Sequence, residues 1–154
     1  MQNLKILNKK EANQLLDKIK EQYSIKDLKL DYVFLRNNKN RIFITNRDIS
    51  RIDLNNLKIN SIGLYFCSIE KGGIRLTIEG SQLIGKKAKE NVLELDDKEA
   101  NDWLKGNDIN TNQKLNGFVL IKNKNDFLGS GKYKEGKILN FVPKSRRLKT
   151  TESF

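Results

Sequence analysis

The sequence predicts an α+β fold laid out in two blocks, and three observations lead there. Short apolar, β-branched runs are separated by polar or glycine-containing turns, as in antiparallel strands. Two stretches of helical spacing open on a cap residue followed three positions later by Glu, at Asn8/Glu11 and Asp96/Glu99. The element order also changes near residue 90, from α-β-β-α-β-β-α to β-α-β-β-β.

In chain order, Asn8 caps a helix whose apolar positions are Ala12, Leu15, Leu16 and Ile19, ending near Tyr23. Asp31 to Arg36 and Arg41 to Thr45 form a hairpin around the polar loop 37–40. Asn46 is placed to cap a short helix carrying Ile49, Ile52 and Leu54. Ile62 to Ile69 and Ile74 to Ile78 are the next strands, with a turn at Lys71-Gly72-Gly73. A helical turn or two follows over 81–89, with Leu83, Ile84 and Ala88 facing inward.

The second block opens on a strand at Val92, Leu93 and Leu95. Asp96 caps a helix burying Ala100, Trp103 and Leu104, and Gly106 stops it. A polar stretch, 107–116, precedes three strands: Gly117 to Lys122, Phe127 to Tyr133 and Lys137 to Val142. Pro143 ends the last of them. Residues 144–154 are expected to be polar and basic, and frayed at the end. The expected division is 1–90, 91–150 and a tail at 151–154. No Gly/Ser-rich linker marks the boundary, so the halves are expected to pack together.

Composition removes several function classes. With 154 residues, 37% of them apolar, the chain can bury one ordinary core or two small ones. Mean hydropathy is −0.64, and no run approaches the roughly 20 apolar residues of a membrane span. No signal peptide and no membrane association are expected, and the expected location is the cytoplasm. There is no histidine and one cysteine, Cys67, in the apolar run Leu64-Tyr65-Phe66-Cys67. That excludes an internal disulfide and a Ser-His-Asp or Cys-His constellation, and leaves little from which to build a zinc site.

Charge gives the positive clue. Thirty Lys and Arg face nineteen Asp and Glu, for a net +11 and a pI near 9.7. Such a balance is the footprint of a polyanion binder. Abundant Lys, Asn and Ile also suit an AT-rich genome, but its distribution argues for more than genome bias. Residues 88–118 carry a net −3, whereas residues 122–154 carry a net +6 that includes two arginines.

Four segments invite a chemical reading. Gly80-Ser-Gln-Leu-Ile-Gly-Lys86-Lys87 is one residue from a phosphate-binding P-loop, but Lys87 stands where a Ser or Thr must hold Mg²⁺. Lys86 and Lys87, beside Lys89, read better as a solvated or RNA-facing cluster. Gly129-Ser130-Gly131 lies between strands, which suits a bulge rather than a dinucleotide loop. Glu94, Asp96, Asp97, Glu99 and Asp102 fit the start of a helix, where acids meet the positive end of the dipole. Lys144-Ser145-Arg146-Arg147-Leu148-Lys149 is the sharpest candidate, with four cations over six residues that can follow a phosphate backbone.

Two stretches then resemble a known family. Val92-Leu-Glu-Leu-Asp-Asp97 with the following helix to Ile109, then Gly117-Phe-Val-Leu-Ile121 and Phe127-Leu-Gly-Ser-Gly131, resemble the PUA domain of pseudouridine synthases and archaeosine transglycosylases. The ending Asn140-Phe-Val-Pro-Lys-Ser-Arg-Arg147 is similar to PUA domains attached to archaeal RNA cytosine-5 methyltransferases of the Nop/Sun group. The first block, with Ser61-Ile-Gly-Leu-Tyr-Phe66 and Ile74-Arg-Leu-Thr-Ile78, resembles the domain preceding PUA in small archaeal and eukaryotic ribosome-biogenesis proteins. The resemblance implies a mixed α/β pre-PUA domain followed by a PUA pseudo-barrel of mostly antiparallel strands with one main helix. It implies RNA binding without catalysis or cofactor, in ribosome biogenesis or RNA modification, on structured rRNA or tRNA. Carried onto this chain, the contact residues are Lys105 and Gly106 at the helix end and Lys144, Arg146, Arg147 and Lys149 after the last strand. The alternative is a protein-interaction subunit docking on an RNA-processing or modification complex.

Overall fold

The computed structural model describes residues 4–46 and 63–149, and it is an α+β structure of two five-stranded, mostly antiparallel sheets with three α-helices. The first sheet holds β1 (Lys5–Ile6), β2 (Val33–Arg36), β3 (Arg41–Thr45), β4 (Leu64–Glu70) and β5 (Gly73–Leu76), in that order and all antiparallel. The second comprises β6 (Val92–Glu94), β7 (Ile109–Asn110), β8 (Phe118–Asn123), β9 (Asp126–Lys134) and β10 (Lys137–Leu139), in spatial order β6-β8-β9-β10-β7. Among the described residues, only β6 and β8 run parallel. The helices are α1 (Lys9–Tyr23), α2 (Ile78–Ile84) and α3 (Asp97–Leu104).

The local signals explain α1 and α3 fully. Asn8 and Asp96 each accept from the backbone N–H three residues on, at 2.8 Å. Glu11 and Glu99 reach back to the cap N–H at 3.0 Å. Each box satisfies two of the N–H groups a helix start leaves orphaned, and losing its cap side chain costs about 1 kcal/mol.

Packing follows from periodicity. Leu15, Leu16, Ile19 and Tyr23 of α1 bury against Phe34, Ile42, Ile44, Phe66, Ile74 and Leu76. The second core gathers Trp103, Leu95, Ile109, Val119, Ile121, Ile138 and Val142. Strand β8 is a wall shared by both: Leu120 faces the first core, and Val119 and Ile121 the second. That is the period of two of a strand buried on both faces. Tyr23 ties the blocks further. Its hydroxyl donates to Phe118 O at 2.9 Å, and its carbonyl accepts from Lys89 N at 2.8 Å.

The sequence reading needs correction at several places. Ile78 does not end a strand, because Thr77 caps α2 there by accepting from Gly80 N at 2.9 Å. Leu83 is exposed, not inward. The last strand stops at Leu139 instead of Val142. Asn140 turns the chain there, its amide nitrogen donating to Trp103 O and Asn107 O while its oxygen accepts from Val142 N. The stretch 107–116, read as polar loop, contains the edge strand β7, and the N-terminal apolar patch contains β1. Within the polar, basic stretch after Pro143, Lys144–Arg146 form a 3-10 turn and the segment after it docks on α3. The short helix expected around Ile49, Ile52 and Leu54, and the tail 151–154, lie outside the described residues.

Candidate nucleic-acid interface

The cationic segment after β10 is built from the end of α3. Gly106 adopts φ +99°, a conformation that suits glycine, and a Cβ there would lie 2.7 Å from Arg147 Cδ. Arg147 crosses this open position and donates from Nε to Val142 O at 2.9 Å. Leu148 N then donates to Leu104 O at 2.9 Å. The fold thus brings Gly106, Arg147 and, at the C-cap of α3, Lys105 into one place. Lys144 and Lys149 are exposed on either side of this docked stretch.

Arg146 points elsewhere. Its Nη1 meets both carboxylate oxygens of Glu79 on α2, at 2.8 and 3.0 Å. The Glu79 hydrogen bond holds the guanidinium cationic and pushes its pKa up. At a half-exposed site such a pair adds little stability, but it neutralises one of the four tail cations and orients the turn on α2.

Lys86 and Lys87 occupy a 3-10 turn (Gly85–Lys87) after α2, about 10 Å along the helix axis from Glu79. Here the fold assembles what the sequence did not pair. Lys86, Lys89, Lys122 and Asn125 surround an open hollow of about 330 Å³ floored by Phe127, with no carboxylate in its lining. Lys122 Nζ stands 5.7 Å from the Phe127 ring centroid. Lys87 is exposed on the same turn but does not line the hollow. None of Lys86, Lys89 and Lys122 makes an ion pair with another described residue. Lys122, on β8, lies 36 positions from Lys86 and joins it through the pairing of β8 with β6 and the packing of α2 on β9.

The other candidate chemistries resolve structurally. The P-loop look-alike is helix α2 and its 3-10 extension, with Ile84 and Gly85 buried, so no open phosphate loop exists there. Gly129-Ser130-Gly131 lies inside β9, at the register shift opposite Leu120 and Lys122, with Gly129 at φ +93°. Gly129 N donates to Ser81 Oγ at 2.9 Å and Ser130 Oγ to Leu76 O at 2.8 Å. Among the acids, Asp96 and Glu99 cap α3 and Asp97 pairs on its surface. Asp97 accepts from Asn123 Nδ2 at 3.1 Å and Lys124 Nζ at 3.2 Å, which together hold its carboxyl below the usual range. No group of His, Cys, Asp and Glu among the described residues is arranged to hold a metal ion. Burial pushes the Cys67 thiol pKa up, which makes it a poor nucleophile. No helix among the described residues is long and apolar enough to cross a membrane.

The family model of the methyltransferase RsmF PUA domain matches residues 90–148, from the strand before α3 through the docked cationic segment. Residues 90–148 form a PUA domain. Two relatives agree with this. Ribosomal RNA small subunit methyltransferase F of Aeromonas salmonicida is 30% identical over 89 residues, 57% of this chain and 19% of the relative. The protein of the same name from Vibrio cholerae serotype O1 is 26% identical over 92 residues, 59% of this chain and 20% of the relative. The chain spans about one fifth of the length of the curated relatives it matches. Only 65 residues run from residue 90 to the last, so these matches reach back before the PUA domain. The relatives are bacterial, which corrects the archaeal affinity expected from the sequence.

Proposed function

We propose that this chain is a non-catalytic RNA-binding module of rRNA modification or maturation, holding structured rRNA or tRNA by its backbone. The RsmF-type PUA match over 90–148 carries this reading. The net charge of +11 and the carboxylate-free hollow of Lys86, Lys89 and Lys122 support it, since phosphate is the anion RNA offers most densely. Lys105, Lys87, Lys144 and Lys149 extend the basic surface, with Gly106 and Arg147 shaping the α3 end. Arg146 serves chiefly to seat the tail on Glu79. Phosphate contacts of this kind position a nucleic acid without reading its sequence. The reading includes a cytoplasmic location, a pre-PUA character for the first half with a division near residue 90, and no cofactor. It assigns no methyl transfer to this chain, although its relatives bear a methyltransferase name.

The test is titration of a labelled rRNA fragment followed by fluorescence anisotropy over a series of salt concentrations. Binding that weakens steeply and linearly in log K against log[salt] is expected. Absence of binding at low salt would overturn the proposal. A protein partner retained by the chain from RNase-treated lysate, without RNA binding, would favour docking on a processing or modification complex.

A further inference from the structure

We propose that the seam between the two sheets carries a stacking platform for unpaired RNA bases, centred on Tyr65 and Phe141. This inference rests on the RNA-binding reading above and gives it a second, base-directed surface.

Four aromatic residues from four separate segments meet along one strip. Phe43 on β3 lies 5.3 Å from Tyr65 on β4, centroid to centroid. Phe141, just after β10, lies 6.1 Å from Phe118 on β8. Tyr65 and Phe141 line the same small hollow, of about 90 Å³, together with Arg75 and the Arg146–Glu79 pair. The hollow lies between the ring pair of the first sheet and the ring pair of the second. Phe141 is 38% exposed, Tyr65 and Phe43 are half-buried, and Phe118, buried, backs Phe141. A lone exposed phenylalanine needs no explanation, but a line of rings is a different matter.

Three of the four rings have a cation close to them. Arg41 Cζ stands 5.8 Å from the Tyr65 centroid, Arg75 Cζ 4.9 Å from Phe141, and Lys132 Nζ 5.8 Å from Phe118. Such pairs occur roughly once per 70–80 residues, so three on one strip is a concentration. Glu70 holds Arg75 Nε at 3.2 Å, which fixes the guanidinium beside Phe141. Rings and guanidinium groups are the surfaces on which single-stranded bases stack, and Arg41 and Lys132, which form no ion pair with another described residue, supply charge for the linking phosphates. An acidic peptide would use the charges but leave the rings without a role. A duplex buries its base faces and could use only the charges. The strip fits single-stranded RNA.

The test uses the full chain, with a labelled oligouridine and a labelled RNA duplex as probes. Phe141→Leu and Tyr65→Leu keep apolar bulk while removing the π face. Each should weaken oligouridine binding by roughly 5- to 150-fold, the range for loss of one stacked base. Duplex affinity and the salt slope should stay as in the parent, since no phosphate contact is removed. In Phe141→Trp, added oligouridine should quench the emission of the new indole. Trp103 is fully buried and supplies a constant background and a check on folding. Oligouridine affinity unchanged in both leucine variants, or an unquenched Phe141→Trp, would overturn this inference alone. Parent protein that binds duplex but not oligouridine would do the same. Parent protein that binds neither would overturn the RNA-binding reading itself. A glutamate-rich peptide that displaces oligouridine, and loses its own binding in Phe141→Leu, would assign the strip to a protein partner instead.

Discussion

Replacing Lys86, Lys89 and Lys122 together with alanine removes three cations from one hollow whose lining has no acid. None of the three is ion-paired to another described residue, so each is available to displace a counterion from RNA. Each phosphate neutralised contributes about 0.7 to the slope of log K against log[salt] on a single strand, so the triple variant should be shallower by about 2. Between about 50 and 200 mM salt the parent should therefore lose roughly 20-fold more affinity than the variant. Arg146→Ala is the built-in control. Glu79 already meets that guanidinium at 2.8 Å, so its removal should leave the slope almost unchanged. Anisotropy titrations at several salt concentrations decide the matter. A triple variant with the parent's slope, or an Arg146→Ala slope that falls as far as a lysine's, would refute the assignment.

Two further outcomes follow from the packing and the surface charges. Gly131→Ala places a Cβ 2.6 Å from Trp103 Cη2 and from Leu139 O, so it should cost about 1–3 kcal/mol by overpacking. A thermal melt should then drop by roughly 2–4 °C per kcal/mol, with a shift in Trp103 emission, and an unchanged melt would contradict the fit described. Asp97 is held below the usual carboxylate pKa, first by Asn123 and then by Lys124, so its contribution to stability is present above the ordinary carboxylate range. That contribution is lost as pH falls through its lowered folded value. Asp97→Asn should therefore flatten the acid limb of melting temperature against pH, and an identical limb in both proteins would count against the interaction.

What the sequence disclosed and what it hid separate along sequence distance. Asn8 with Glu11 and Asp96 with Glu99 are contacts three residues apart, so a cap and its helix can be read together. The hairpin at 37–40 is likewise local, with Asn37 Oδ1 accepting from Lys39 N and Arg41 N. Ile78 misled because Thr-Ile in an apolar run suits a strand, and only the Thr77 cap makes it a helix start. Strands β1 and β7 are two residues long and exist through their partners, Arg36 and Leu35 for one, Lys137 and Ile138 for the other. No periodicity can show in so short a run. For the site, the cationic character of 144–149 was visible as composition. Its internal division was not, since Arg146 finds Glu79 at a separation of 67 residues and Arg147 settles on Gly106. Lys122 and the ring strip were invisible for the same reason.

The Gly129-Ser130-Gly131 element shows how a motif can matter for binding without touching a ligand. Its spacing invites comparison with a cofactor loop, yet every part of it faces protein. Gly129 and Ser130 bond to Ser81 and Leu76, while the bare α-carbon of Gly131 makes room for Trp103. The bulge therefore fixes where α2 lies on β9. One end of α2 carries Glu79, which orients the cationic turn through Arg146, and the other leads to Lys86 and Lys89. The opposite wall of the lysine hollow, Lys122 and Phe127, belongs to the very strands that flank the bulge. Both basic surfaces are thus referenced to a buried, uncharged kink. A change that unseats α2 would separate the lysines from one another and release Arg146; under the RNA-binding function proposed above, it should weaken RNA binding with every cation still present.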